Sequence, residues 1–187
     1  MKPFFVDNII SDIKQDLIED IVIYEKIVDW RLLFHAKDQT KQDIIFSHFL
    51  IHDGEVKSNL YTSIHNTGLI VESTNKVKDI MDLWSIQTSC IDLLVSNPLE
   101  EYTTFYKESN VVLTSIYCCV EEDSEVIVYK NKNLHSYAPI QCKKGRVIFL
   151  DGQSEYKIKN PQQNNLIPVI TTTFSHLDDI ENVKNVE

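Results

Sequence analysis

Glycine is scarce, with four residues in a chain of 187, and that scarcity removes several classes of chemistry at once. A phosphate-cradling loop needs glycines clustered within a few positions, and a nucleophile elbow needs one on each side of its serine. The chain contains no Gly-rich phosphate loop, no Walker motif and no GxSxG. Positive charge is also in short supply. Eighteen Lys and Arg stand against 28 Asp and Glu, a formal net charge of -10, which argues against nonspecific binding to nucleic acid or to an anionic membrane. No apolar run approaches the roughly 20 residues of a membrane span. The opening MKPFFVDNII has neither the continuous apolar stretch nor the small-residue cleavage site of a secretory leader. Cysteine occurs four times, as Cys90, Cys118, Cys119 and Cys142, with no CxxC pair, so a zinc site is not expected. Cys118 and Cys119 are adjacent and point to opposite faces of an extended strand. The expectation is four reduced core cysteines in an intracellular, non-secreted protein.

What is present reads as a globular chain. Apolar residues make up 43% and charged residues 25%, both ordinary fractions. One domain is expected over 1–176, followed by an acidic tail over 177–187, and the chain changes character near residue 85. Helical periods dominate before that point. Ile9, Ile10, Ile13, Leu17, Ile18 and Ile21 repeat at helical spacing, with Asp12, Gln15, Asp16, Glu19 and Asp20 on the other face. Asn8 or Ser11 serves as the N-cap. Residues 27–35 and 43–51 read as strands, and 58–64 and 75–83 as two further helices.

After residue 85 the pattern is strands, over 85–95, 111–120, 125–130, 134–141, 146–151, 155–159 and 167–174. Turn residues separate them, among them Asn131-Lys132-Asn133, Lys143-Lys144-Gly145 and Asp151-Gly152. Short, evenly spaced strands of this kind predict a sandwich or barrel. The expected fold class is α+β, a barrel mainly over 85–174 with a helical annex mainly over 8–84 packed on one face.

Several short motifs carry a family resemblance. Phe5-Val6-Asp7-Asn8 before an acidic amphipathic helix, FSHFLIHDGEVKSNLY over 46–61, and KKGRVIFLDG over 143–152 resemble, in order and spacing, the small 2-oxoglutarate/Fe(II)-dependent oxygenases of marine bacteria and their phages. The resemblance spans residues 5 to 174. It implies a double-stranded β-helix, or jelly roll, with the N-terminal helices against its outer face. It also implies a His-x-Asp or His-x-Glu pair on an early barrel strand and one later His, together holding iron with positions open for 2-oxoglutarate and oxygen. A basic residue roughly ten positions beyond the later His would anchor the cosubstrate's far carboxylate.

The residues that resemblance calls for are missing. Between the strands at 85–95 and 111–120 the chain reads Leu99, Glu100, Glu101, Tyr102, Thr103, Thr104, Phe105, Tyr106, Lys107 and Glu108, with no histidine. The later His falls at Tyr156 and the basic residue at Ile167. His176-Leu177-Asp178 is the only His-x-acid sequence, and no histidine follows it. Neither iron nor 2-oxoglutarate is therefore expected as a cofactor. Tyr102, Phe105, Tyr106 and Tyr156 become candidates for filling the vacated pocket or for contacting a partner, since tyrosine is enriched at contact hot spots. The expected function is a noncatalytic jelly-roll protein that works by contact with other protein subunits in a homo- or hetero-oligomeric assembly, most concretely a phage virion or assembly component. It would be found in the host cytoplasm or the virion. The alternative is an active oxygenase with non-standard ligands.

Overall fold

The computed structural model describes residues 1–24, 31–38, 41–52, 55–81, 86–95, 102–105, 110–121, 124–129, 136–152, 154–159 and 167–176. The first half of the chain supplies β1 (Phe4–Val6), α1 (Asp12–Tyr24), β2 (Arg31–Asp38), β3 (Lys41–His52), β4 (Glu55–Val56), α2 (Leu60–Asn66) and α3 (Leu69–Met81). The second half supplies β5 (Ile86–Val95), β6 (Tyr102–Phe105), β7 (Leu113–Cys118), β8 (Glu125–Val128), β9 (Ile140–Gln141), β10 (Val147–Asp151), β11 (Tyr156–Lys159) and β12 (Pro168–His176). The helix expected at 58–64 lies two residues later, the one expected at 75–83 begins six residues earlier, at Leu69, and the strand expected at 134–141 was drawn too long. β9 keeps two residues of the latter, and an isolated bridge pairs Tyr129 with Ser136.

All pairings between these strands are antiparallel. The large sheet runs β1-β10-β7-β12-β5-β3-β2, with β4 on β3, and the small sheet runs β6-β11-β8-β9. From β5 onward the chain crosses between the sheets, with β5, β7, β10 and β12 in the large one and β6, β8, β9 and β11 in the small one. This winding is the double-stranded β-helix.

Because the large sheet is covered on both faces, its strands do not alternate apolar with polar; every residue of β7 is buried. Alternation instead sorts side chains between two cores. Leu113 and Tyr117 of β7, Val147 and Phe149 of β10, and Ile170 and Phe174 of β12 pack outward against Ile18, Ile21, Leu60, Ile64, Leu69 and Val77 of the helices. Ile116 and Cys118, Ile148 and Leu150, and Val169 point the other way, into the space between the sheets, to meet Val126, Val128, Tyr156 and Ile158 of the small sheet. Cys118 and Cys119 thus enter different cores. Burial pushes the Cys119 thiol far above its ordinary pKa, which makes it inert packing rather than a nucleophile.

A clasp ties the N-terminus to the barrel, and it joins two of the motifs that carried the resemblance. β1 pairs with β10 in the register Phe4↔Phe149, Phe5↔Ile148, Val6↔Val147. Arg146, buried at the foot of β10, grips both oxygens of Asp7, with Nε 2.6 Å from Oδ1 and Nη2 2.9 Å from Oδ2. Its guanidinium also lies 3.9 Å from the centre of the Phe5 ring. Two residues back, Lys144 donates to Asp16 at 2.5 Å and also to Glu19 of α1. Gly145 between them has φ +78° and approaches the side chain of Gln15 so closely that a Cβ would overlap it.

That contact goes with a rotation of α1 that keeps Ile10, Ile18 and Ile21 of the expected core face buried and changes the rest of it. Gln15, read as solvent-facing, is 5% exposed and its amide donates to the Ile10 carbonyl at 2.9 Å. Ile13 and Leu17, read as core, are 82% and 48% exposed. The core face is Ile18, Ile21 and Val22 with Gln15. A polar side chain whose hydrogen bonds are met can be buried, and here the clasp at residues 144–146 selects it over the two aliphatics.

Candidate functional site at the barrel mouth

Strand pairing brings together residues that the sequence holds far apart. β11 lies between β6 and β8, with Tyr156 opposite Phe105 on one side and Val128 on the other. β6, with Tyr102 and Phe105 at its two ends, was not recognised as a strand; four residues bearing two threonines and two aromatics give little period. The register nonetheless sets β6, which lies within the 99–108 segment where the resemblance would put the early His-x-acid pair, against β11, with Phe105 opposite Tyr156, the place the resemblance gives to the late histidine. Tyr106 lies outside the described residues, and of the aromatic candidates only Tyr156 has a described side chain.

Tyr156 is 6% exposed and packs in the core between the sheets, as does Ile158 two residues on. Lys157 and Lys159 occupy the alternate positions and face outward. Lys157 Nζ lies 5.4 Å from the centre of the Tyr129 ring, and Lys159 Nζ lies 4.0 Å from Glu125. Neither lysine enters the barrel. Ile167, in the place of the carboxylate-anchoring residue, is 1% exposed and belongs to the same apolar core. The deep half of the barrel is thus filled by Leu94, Ile116, Cys118, Val126, Ile148 and Val169 around it, with no cation among those side chains to meet a dianion.

Towards the other end the large sheet turns polar. The register Thr173↔Thr114, Thr173↔Cys90 and Thr171↔Asp92 places these residues on the inner face. Cys90 is buried, with Sγ 3.0 Å from the Ile51 carbonyl, 3.4 Å from Asp92 Oδ2 and 3.7 Å from His52 Nδ1. This group of thiol, carboxylate and imidazole was not anticipated; only the non-local pairing of β3 with β5 assembles it.

An iron centre of the kind the resemblance implies needs two neutral imidazoles and a carboxylate converging from β6 and β11. The residues present do not fit it. No histidine occurs between His65 and His135, so β5 to β8 hold none, and β11 offers a phenol, whose ordinary pKa near 10 makes it a poor Fe(II) ligand at neutral pH. His176, on β12, shares the parity of Ile170 and Phe174, the outer face. His48, another candidate by residue type, sits 2.7 Å from Ser58 Oγ. Among the described residues no three His, Cys, Asp or Glu side chains are grouped to hold a metal ion, and no helix is long and apolar enough to cross a membrane.

Comparison with known proteins gives no matching family model and no matching curated protein. Solved structures do match. An oxidoreductase of the 2OG-Fe(II) oxygenase family from Burkholderia pseudomallei superposes with a TM-score of 0.67 at 10% identity, covering 92% of this chain and 84% of that one. A prolyl hydroxylase from Trichoplax adhaerens gives 0.63 at 11% identity, covering 96% and 86%. A prolyl-4-hydroxylase from Pseudomonas putida gives 0.62 at 8% identity, covering 93% and 92%. Likeness at such identities speaks to the fold alone: this chain has the double-stranded β-helix fold of the 2-oxoglutarate/Fe(II) oxygenases.

Proposed function

We propose that the protein is a noncatalytic derivative of the oxygenase fold that acts through contact with other protein subunits. One observation carries this reading. The resemblance would hold iron between β6 and β11, where Phe105 is paired with Tyr156, and would anchor the cosubstrate near Ile167, which is a member of the apolar core. A fold does not dictate a function, and a barrel packed with aliphatic side chains retains value as a rigid scaffold. The narrower version, a virion or assembly component, has no observation in its favour.

A second reading has support of its own. The structural neighbours named above are oxygenases and hydroxylases that match over nine-tenths of this chain, which favours an active 2-oxoglutarate/Fe(II) oxygenase with non-standard ligands. The two readings separate in one assay, succinate release from 2-oxoglutarate by the purified protein supplied with Fe(II) and ascorbate, beside its iron content. The noncatalytic reading expects no succinate above the protein-free blank and no retained iron. Stoichiometric iron with steady succinate release would replace it with the second reading.

A further inference from the structure

The outward face of α1 carries aliphatic side chains that belong to neither core, and its composition is specific. Ile13 and Leu17, four residues apart, form an aliphatic row that is 82% and 48% exposed, and Ile23 is also exposed at the end of the same helix. Residues four apart are neighbours on a helix surface, so Asp12, Asp16 and Asp20, all exposed, form a second row directly beside the first. Aliphatic side chains of this size gain nothing from projecting into water. The rotation that exposes them is enforced: Gln15 is buried under Gly145, and Lys144 holds Asp16 and Glu19. Asp16 keeps 66% of its side chain exposed even while paired, so the acid row still faces outward.

We propose that this face of α1 docks a basic amphipathic segment of a partner protein, whose aliphatic side chains cover Ile13 and Leu17 while its lysines or arginines meet the aspartate row. The inference rests on the protein-contact reading above and names the surface and the partner's chemistry. Charge selects this occupant. A second copy placed symmetrically on the same face would set the aspartate rows against each other in a chain that already carries a net charge of -10, and like charges brought together oppose association. An anionic membrane is disfavoured by the same row. A helix laid across paired apolar and charged rows is a recurrent mode of peptide recognition.

The test titrates the full-length protein into a dye-labelled peptide with leucine and lysine at helical spacing and reads fluorescence anisotropy. A scrambled peptide of the same composition and a leucine/glutamate counterpart are run beside it. The expected result is saturable binding of the first peptide alone. Replacing Ile13→Gln together with Leu17→Gln weakens it about ten-fold or more, the scale of losing buried aliphatic anchors. Asp12→Asn with Asp20→Asn weakens it at low salt and flattens its salt dependence. These side chains are exposed, so the variants keep the wild-type circular dichroism spectrum. Equal binding of the scrambled peptide, absence of binding, or an Ile13→Gln/Leu17→Gln variant that binds like wild type each overturns the proposal. Self-association in sedimentation that this variant abolishes would assign the face to a second copy, and partition onto phosphatidylcholine vesicles would assign it to a lipid surface. Failure of the peptide in a protein that releases no succinate refutes the surface and leaves the noncatalytic reading standing; succinate release beside peptide binding does the reverse.

Discussion

Replacing Gly145→Ala tests the clasp that sets the rotation of α1. Two separable costs follow from the structure. The backbone at Gly145 has φ +78°, a left-handed conformation that costs an L residue roughly 1–2 kcal/mol. The added Cβ would also overlap Oε1 and Cδ of Gln15 and lie 2.6 Å from its Nε2, forcing out a side chain bonded to the Ile10 carbonyl at 2.9 Å and Asn8 Oδ1 at 3.3 Å. Each of the two hydrogen bonds lost in that way removes roughly 0.5–1 kcal/mol, so the substitution should destabilise by roughly 2–4 kcal/mol in total. In a Gln15→Ala background the overlap disappears and only the backbone part remains, about 1–2 kcal/mol. The double-mutant cycle, read from urea denaturation followed by circular dichroism, should therefore show a coupling of about 1–2 kcal/mol. An equal cost in both backgrounds would refute the contact with Gln15, and a cost below about 0.5 kcal/mol in the wild-type background would refute the left-handed turn as well.

Two further outcomes follow from the clasp and from the barrel mouth. The bidentate bond from Arg146 holds the Asp7 carboxyl below its usual pKa, so this pair stabilises the fold above the unfolded carboxylate pKa of about 3.9 and the contribution is lost as pH falls through the lower folded value. Asp7→Asn, acting on a half-exposed carboxylate, should cost about 1 kcal/mol near neutral pH; urea titrations repeated across the acid range should show the gap to wild type closing below about pH 4. Phe105→His combined with Tyr156→His places two imidazoles at directly paired positions of β6 and β11, and should raise Ni(II) affinity by about ten-fold or more over wild type in calorimetry; no gain would argue against the β6–β11 register.

The barrel was legible because its strands are short, evenly spaced and bounded by turn residues. β1 and β6 were not, since Phe4–Val6 and Tyr102–Phe105 are too short for a period to emerge. The motifs behind the family resemblance proved to hold the fold together: Asp7 and Arg146, 139 positions apart, bind each other. The face of α1 was misread because periodicity ranks Ile13 and Leu17 above Gln15, and only contact with the turn at Lys144-Gly145 reverses that order. At the site, Tyr156 and Ile167 were singled out by counting from Asp151-Gly152, and both lie in the core between the sheets. The pairing of position 105 with 156, and of Cys90 with His52, depends on strands that meet only in the folded chain.

Isothermal titration calorimetry with Fe(II) and 2-oxoglutarate, each alone and both together under anaerobic conditions, tests the central claim most directly. With Tyr156 opposite Phe105 and Ile167 buried where the resemblance would put the cosubstrate's anchoring cation, heats no larger than those of dilution are expected in all three titrations. Saturable micromolar binding of both would contradict that claim and make the protein an oxygenase with ligands of its own.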